Sequence, residues 1–245
     1  MEKLTKRQQE LLYKITEYYI KNAVPVGSKQ ISEDLGLSSA TIRNEMAELE
    51  KLGYLAQPHI SAGRIPTQNA YKFYVETFLQ NVKDRDFDWS LLEEYEIDFA
   101  NRDSLKDLSK KLADKLELSI IIAFSKSDVF YTGMSKLFSQ PEFRKDFVYI
   151  SDFSNLFDQI DEKIEHIFEK VIEINEPIIL IGNDNPFSKF CGSVMCGIDN
   201  KIICIIGPMR MDYKKAITYI NILKKINNNN QTDGQRAKAK RSQKK

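Results

Sequence analysis

Residues 24–55, VPVGSKQISEDLGLSSATIRNEMAELEKLGYL, hold two short amphipathic segments separated by a glycine turn. Pro25 stops any helix that precedes them and Gly27 turns the chain. Ser28 has the side chain of an N-cap for KQISEDLG, which Gly36 terminates. Ser38 then caps a further helix whose inward face is Ile42, Met46, Leu49 and Leu52, closed by Gly53. Helix, short turn, helix is the spacing that brings a second helix into a DNA major groove. Near its start that helix turns outward Ser39, Thr41, Arg43 and Asn44. Arginine can bridge O6 and N7 of guanine, asparagine can bridge N6 and N7 of adenine, and hydroxyls serve bases or phosphates. The helix N-terminus adds a partial positive charge close to phosphate oxygens.

On the C-terminal side follows QPHISAGRIPT, residues 57–67, two short extended pieces around a turn. Pro58 and Pro66 prevent helix there and Gly63 permits a tight reversal. The pieces read as a wing carrying His59, Ser61 and Arg64, with Arg64 the candidate for a minor-groove or phosphate contact. Thr67 is placed to cap a helix, QNAYKFYVETFL, whose Tyr71, Tyr74, Val75 and Phe78 cover the domain or begin the linker. On the N-terminal side, Thr5 with Gln8 makes a capping box for a helix over residues 6–22, with Leu11, Leu12, Ile15, Tyr18 and Tyr19 at helical spacing. By residue types alone, three short helices with a hairpin suit either DNA binding or a protein-interaction module.

The net charge of the 245-residue chain, +1, conceals a division. Residues 1–80 carry ten Lys/Arg against nine Asp/Glu, residues 81–223 carry 18 against 25, and residues 224–245 carry eight against one. An acidic middle is a poor partner for phosphate, whereas both ends could attract it. No apolar run nears the roughly 20 residues needed to span a bilayer, and MEKLTKRQQELL has no signal-peptide character. The expectation is a cytoplasmic protein with no membrane association. Cys191, Cys196 and Cys204 are an odd, loosely spaced set, and His59 and His166 lie far away. They read as buried thiols, with no metal, no cofactor and no enzymatic constellation of nucleophile and base.

The run from Val24 to Thr67 closely resembles the start of the heat-inducible transcription repressors, the HrcA family. The matching blocks are PVGS, SATIRN, MAELE, LGYL and QPHISAGRIPT, with the aromatic residues Tyr71, Phe73 and Tyr74 soon after. Two later blocks, YTGMSKLFSQPEF at 131–143 and IIGPMRMDYKKAITYI at 205–220, are similar to the family's glycine-centred strand and its terminal strand-to-helix segment. The resemblance implies a homodimeric repressor of chaperone operons. Such a protein binds double-stranded DNA at an inverted-repeat operator, is released on heat stress and depends on a GroEL-type chaperonin. It also implies that Ser28, Ser38, Ser39, Thr41, Arg43, Asn44, His59, Ser61 and Arg64 form the DNA-binding surface. One departure stands out: IIIAFSKSD runs almost directly into VFYTG, so the family's large inserted dimerisation segment is missing or severely shortened. Dimerisation must then use another surface.

The remainder reads as an α+β domain built on an antiparallel sheet. Its elements are an amphipathic helix capped by Ser104, strands LSIIIAF, VFYTG and FVYIS, and helix FDQIDEKIEHIFEKV. Strands IIL-IG, CGSVMCGI and KIICIIG and helix DYKKAITYINILKK follow. The resemblance makes it GAF-like. The expected organisation is a winged helix-turn-helix domain at 1–80, a linker at 81–102, the GAF-like regulatory and dimerisation domain at 103–226, and a disordered basic tail at 227–245. A competing reading is a winged-helix regulator that senses a small molecule through its C-terminal domain.

Overall fold

The computed structural model describes residues 4–79, 97–145, 156 and 158–242, the side chains of 78, 144–145 and 231–242 excepted. The linker residues 81–96 and the expected strand FVYIS lie outside the described residues. The chain divides into two units, Met1–Asn81 with Met209–Asp212 and Val82–Pro208 with Tyr213–Lys245.

The first unit contains α1 (Lys6–Asn22), α2 (Ser28–Leu35), α3 (Ser39–Lys51), a two-stranded hairpin of β1 (Leu55–Ala56) and β2 (Ile65–Pro66), and α4 (Gln68–Phe78). Thr5 and Gln8 close the α1 capping box: the Gln8 amide donates to the Thr5 hydroxyl at 3.2 Å, and the Thr5 amide to the Gln8 side chain at 3.0 Å. One core joins the inward faces of the helices. Leu11, Leu12 and Ile15 of α1 meet Ile31 of α2 and Ile42, Met46 and Leu49 of α3, all buried. Tyr18, Tyr19 and Leu52, expected inside, are only half-buried at its edge. From α4, buried Tyr74 stacks on Tyr13 with ring centroids 5.6 Å apart and donates its hydroxyl to Glu17 at 3.0 Å. Burial and then the Glu17 carboxylate push the Tyr13 phenol up to about 12, and the same two causes raise Tyr74 further. Both rings stay neutral as packing elements.

The second unit begins with buried Ile97 and Phe99 and with Asn101, whose side chain accepts the amides of Asp103 and Ser104. Asn101, not Ser104, is therefore the cap of α5 (Arg102–Leu116), and residues 97–102, expected as linker, are part of this unit's packing. Then come β3 (Ser119–Ser125), β4 (Asp128–Thr132), α6 (Met134–Phe138), α7 (Pro141–Lys145), α8 (Ile160–Ile172), β5 (Ile178–Ile181), β6 (Cys191–Ile198), β7 (Lys201–Pro208) and α9 (Tyr213–Ser242). The five strands form one antiparallel sheet in the order β4-β3-β7-β6-β5. Asp199 and Asn200 join β6 to β7 with φ of 51° and 57°, the left-handed pair that a tight hairpin needs.

Ile121, Cys204 and Met195 form one row across β3, β7 and β6 and pack with Ile160, Ile164 and Phe168 of α8. The alternate row, Ile120, Ile205 and Val194, points the other way, where α5 and α9 contact β3 and β6. Both faces are covered, which is why these strands read as near-continuous apolar runs instead of alternating. All three cysteines are free and buried in this sheet, and burial pushes the Cys204 thiol up.

The final helix departs from expectation. It continues through residue 227, where a disordered tail was expected, and Asn227 is buried in it. Residues 227–230 are four asparagines, poor helix formers, so packing and not propensity carries the helix past Ile226: the Asn230 side chain donates to the Ile97 carbonyl at 3.0 Å.

Gly192 shows how closely the helical layer meets the sheet. A Cβ there would lie 2.1 Å from the hydroxyl of fully buried Tyr213. Gly192→Ala should therefore destabilise the second unit by about 1–3 kcal/mol through overpacking, read as a lower urea midpoint of the full chain. Native protein should meanwhile show no thiol reactive toward Ellman's reagent until the denaturant transition, because all three cysteines are buried.

Candidate nucleic-acid interface

Local chemistry fixes the geometry of α2 and α3. Gly36, at φ 62°, ends α2 in the left-handed conformation, and two residues later Ser38 is extended and starts α3. Its hydroxyl accepts the Thr41 amide at 3.1 Å and meets the Thr41 hydroxyl at 2.8 Å. Ser38 thus caps as its residue type suggested. Ser28 does not: Gly27 occupies the cap position of α2, its amide donating to Gln30 at 2.8 Å, and Ser28 is the first helical residue. That placement has a consequence in the fold. Freed from capping, the Ser28 hydroxyl meets that of Ser39 at 2.8 Å and ties the start of α2 to the start of α3.

Ile42 and Met46 point α3 inward, and one residue on from Ile42 the helix turns Arg43 and Asn44 fully outward. Ser38 is exposed beside them, and Thr41 and Ser39 are half-buried with their hydroxyls engaged as described. The flank therefore offers two exposed polar side chains, one of them the long arginine, and a row of hydroxyls that are already oriented. Oriented hydroxyls retain lone pairs for a further partner at little entropic cost.

The hairpin behind α3 is held down at its base. Val26 and Arg64 exchange both backbone bonds, Val26 N to Arg64 O at 2.8 Å and Arg64 N to Val26 O at 2.9 Å. Gly63 is what allows this approach, because a Cβ there would lie 2.4 Å from the Val26 carbonyl. At its other end Thr67 stands at the cap position of α4, as expected, but its side chain turns elsewhere. Its hydroxyl donates back to the carbonyls of Gly53 (2.7 Å) and Tyr54 (3.1 Å) and makes no cap bond to α4. Between these anchors Gln57 spans the loop, its Nε2 donating to the carbonyls of Ile60 at 2.9 Å and Ala62 at 3.1 Å.

His59 and Ser61 are exposed on the loop, as expected of a wing. Arg64 is not free there: its side chain is 17% exposed and its Nε sits 2.8 Å from Glu50 on α3. That ion pair is out of hydrogen-bond alignment, yet it fixes the base of the wing to the recognition-type helix. A groove of about 380 Å³ runs between helix and wing, and Ser28, Arg43, Ser61 and Arg64 all line it. Asn44, Ser38 and His59 stand outside this groove.

Two residues that sequence reading missed hold this geometry, Gln30 and Gln57. Gln30 also donates to the Tyr18 hydroxyl at 2.9 Å. The spacing Gly27-x-x-Gln30 was a visible signal, since Gln three residues past a cap often reaches back to it. Nothing in the spacing around Gln57 announces that its amide bridges two carbonyls of its own loop. Among the described residues there is no group of three His, Cys, Asp or Glu able to hold a metal, and no helix is long and apolar enough to cross a membrane.

Comparison with known proteins agrees with this architecture. The family profile described as winged helix-turn-helix transcription repressor, HrcA DNA-binding, matches residues 3–78, and the profile HrcA protein C terminal domain matches residues 61–217. The heat-inducible transcription repressor HrcA of Thermoanaerobacter pseudethanolicus is 27% identical, with 91% of this chain and 95% of that protein covered. Its alignment extends over 333 positions against the 245 residues here, so the relative carries residues that this chain lacks. The HrcA of Brevibacillus brevis is 57% identical over 79 residues, 31% of this chain and 23% of the relative. A crystal structure of a hypothetical protein at 2.2 Å shares the fold, with a TM-score of 0.75 at 19% identity over 92% of this chain and 98% of that one. With both family profiles matched in sequence order along a winged helix and an antiparallel α+β domain, the chain belongs to the HrcA family of winged-helix transcription repressors, a regulatory and not an enzymatic family.

Proposed function

We propose that the chain is a sequence-specific repressor that grips an inverted-repeat operator as a homodimer and lets go on heat stress. The observation that carries the reading is the outward flank of α3, where Arg43 and Asn44 project beside hydroxyls held in place by the Ser38 cap. Arg43 and Asn44 read base edges in the major groove. Ser28, Ser38, Ser39 and Thr41 serve bases or phosphates at the helix start. His59 and Ser61 approach the backbone from the wing, and Arg64 holds the wing to α3 through Glu50. Two copies related by a two-fold axis would place their α3 helices in major grooves a whole number of turns apart, hence the inverted repeat. The family likeness adds chaperone operons as targets, a GroEL-type chaperonin as partner and a cytoplasmic setting.

Release by heat needs an element with two states. The shorter chain leaves less surface to hold two copies together than its longer relative has. Warming therefore separates the pair or loosens it before the domains unfold.

Arg43→Ala should weaken operator binding by on the order of 1–3 kcal/mol and relax the preference at one base position, measured by fluorescence anisotropy against a panel of single-substitution duplexes. A uniform loss across all sequences would make Arg43 a phosphate contact. Arg64→Ala should also weaken binding but leave the salt dependence of affinity unchanged, because its charge is spent on Glu50. A phosphate contact would instead reduce the slope by about one. On a single temperature ramp, loss of binding should coincide with a change in circular dichroism or in sedimentation. Release well below any such change would exclude thermal loosening.

A further inference from the structure

The tip of the wing presents Ile60 with its whole surface (100%) in solvent. An aliphatic side chain so placed contributes nothing to the core, and single exposed apolar residues are ordinary on protein surfaces. What sets Ile60 apart is the rigidity beneath it. Its own carbonyl is held by Gln57 Nε2 at 2.9 Å, and the Ala62 amide closes a turn onto the His59 carbonyl at 2.9 Å. Below the turn Gly63 rests against Val26, and the Val26–Arg64 bridge fixes the wing's base. The backbone that aims Ile60 is therefore set before any partner arrives, which reduces the entropy lost on binding. Polar His59 and Ser61 flank it, and Ile60 shares the rim of the groove with Arg43.

We propose that Ile60 is a minor-groove contact: with α3 in the major groove, the wing tip enters the neighbouring minor groove and Ile60 packs on its floor. The inference rests on the DNA-binding reading above. Apolar side chains in the minor groove are an established way to gain contact there. The floor distinguishes base pairs mainly by the guanine N2 amine, a donor that Ile60 cannot satisfy. Ile60 thus favours A·T pairs beside each half-site, a preference that α3 itself does not supply.

The test uses the full chain and the duplex that wild-type protein enriches from a randomised pool. Wild type and Ile60→Ser are titrated by anisotropy onto that duplex and onto a copy whose flanking adenines are replaced by 2,6-diaminopurine. The replacement adds an N2 amine to the minor groove and leaves the major-groove edge unchanged. Ile60→Ser should keep the wild-type melting temperature, because the position is exposed, and bind the parent duplex about tenfold more weakly, equivalent to about 1.4 kcal/mol. Diaminopurine should weaken wild type severalfold and leave the serine variant unaffected. Equal binding by the two proteins, an equal response to diaminopurine, or enriched flanks rich in G·C would each overturn the proposal. Unchanged DNA binding with altered sedimentation of Ile60→Ser would assign the residue to a protein contact instead. A wild-type chain that enriches no duplex would remove the DNA-binding reading, and Ile60's role with it.

Discussion

Between Val26 and Arg64 two backbone hydrogen bonds, of 2.8 and 2.9 Å, join the segment before α2 to the base of the wing. The contact is possible only because position 63 has no side chain, and it ties the wing to the start of α2. Without it the hairpin would be a two-residue ladder, Leu55 to Pro66 and Ala56 to Ile65, too short to hold its own orientation. The Arg64–Glu50 ion pair and the Thr67 hydroxyl on Gly53 and Tyr54 then lock the hairpin to the end of α3. The groove containing Arg43 and Ser61 exists because these three ties act together. The outward flank of α3 and the wing are thereby one surface, preorganised in the free protein.

How much of this was legible in advance follows from what each element depends on. The helices of the first unit announce themselves through periodicity and local caps, and Thr5, Gly36 and Ser38 behave as their chemistry dictates. The outward placement of Arg43 and Asn44 follows from the inward placement of Ile42 and Met46 on the same helix. Ser28, Thr67 and Arg64 were harder, because each has a plausible local role and a stronger nonlocal one. Ser28 finds Ser39, Thr67 finds the carbonyls after α3, and Arg64 finds Glu50. Local pattern cannot rank a cap against a partner that tertiary folding delivers.

In the second unit the strands were readable as apolar runs, but their order β4-β3-β7-β6-β5 was not, since the central strands β3, β7 and β6 are largely buried on both faces and look alike. Its boundaries moved for similar reasons. Asn101 outcompetes Ser104 as a cap, and the last helix is held past Ile226 by contacts that no apolar stripe announces, with Asn227 buried and Asn230 donating to the Ile97 carbonyl. Gly192 against Tyr213 is a contact between distant blocks of sequence whose meaning appears only once α9 lies on the sheet.

Everything turns on whether the outward flank of α3 enters the major groove. Methylation interference asks this directly: guanines are methylated at N7, which projects into the major groove alone, and the duplexes that still bind the full chain are separated from those that do not. Two clusters of interfering guanines are expected, symmetric about a centre and spaced by a whole number of helical turns. Binding indifferent to N7 methylation at every guanine would show that α3 does not lie in the major groove.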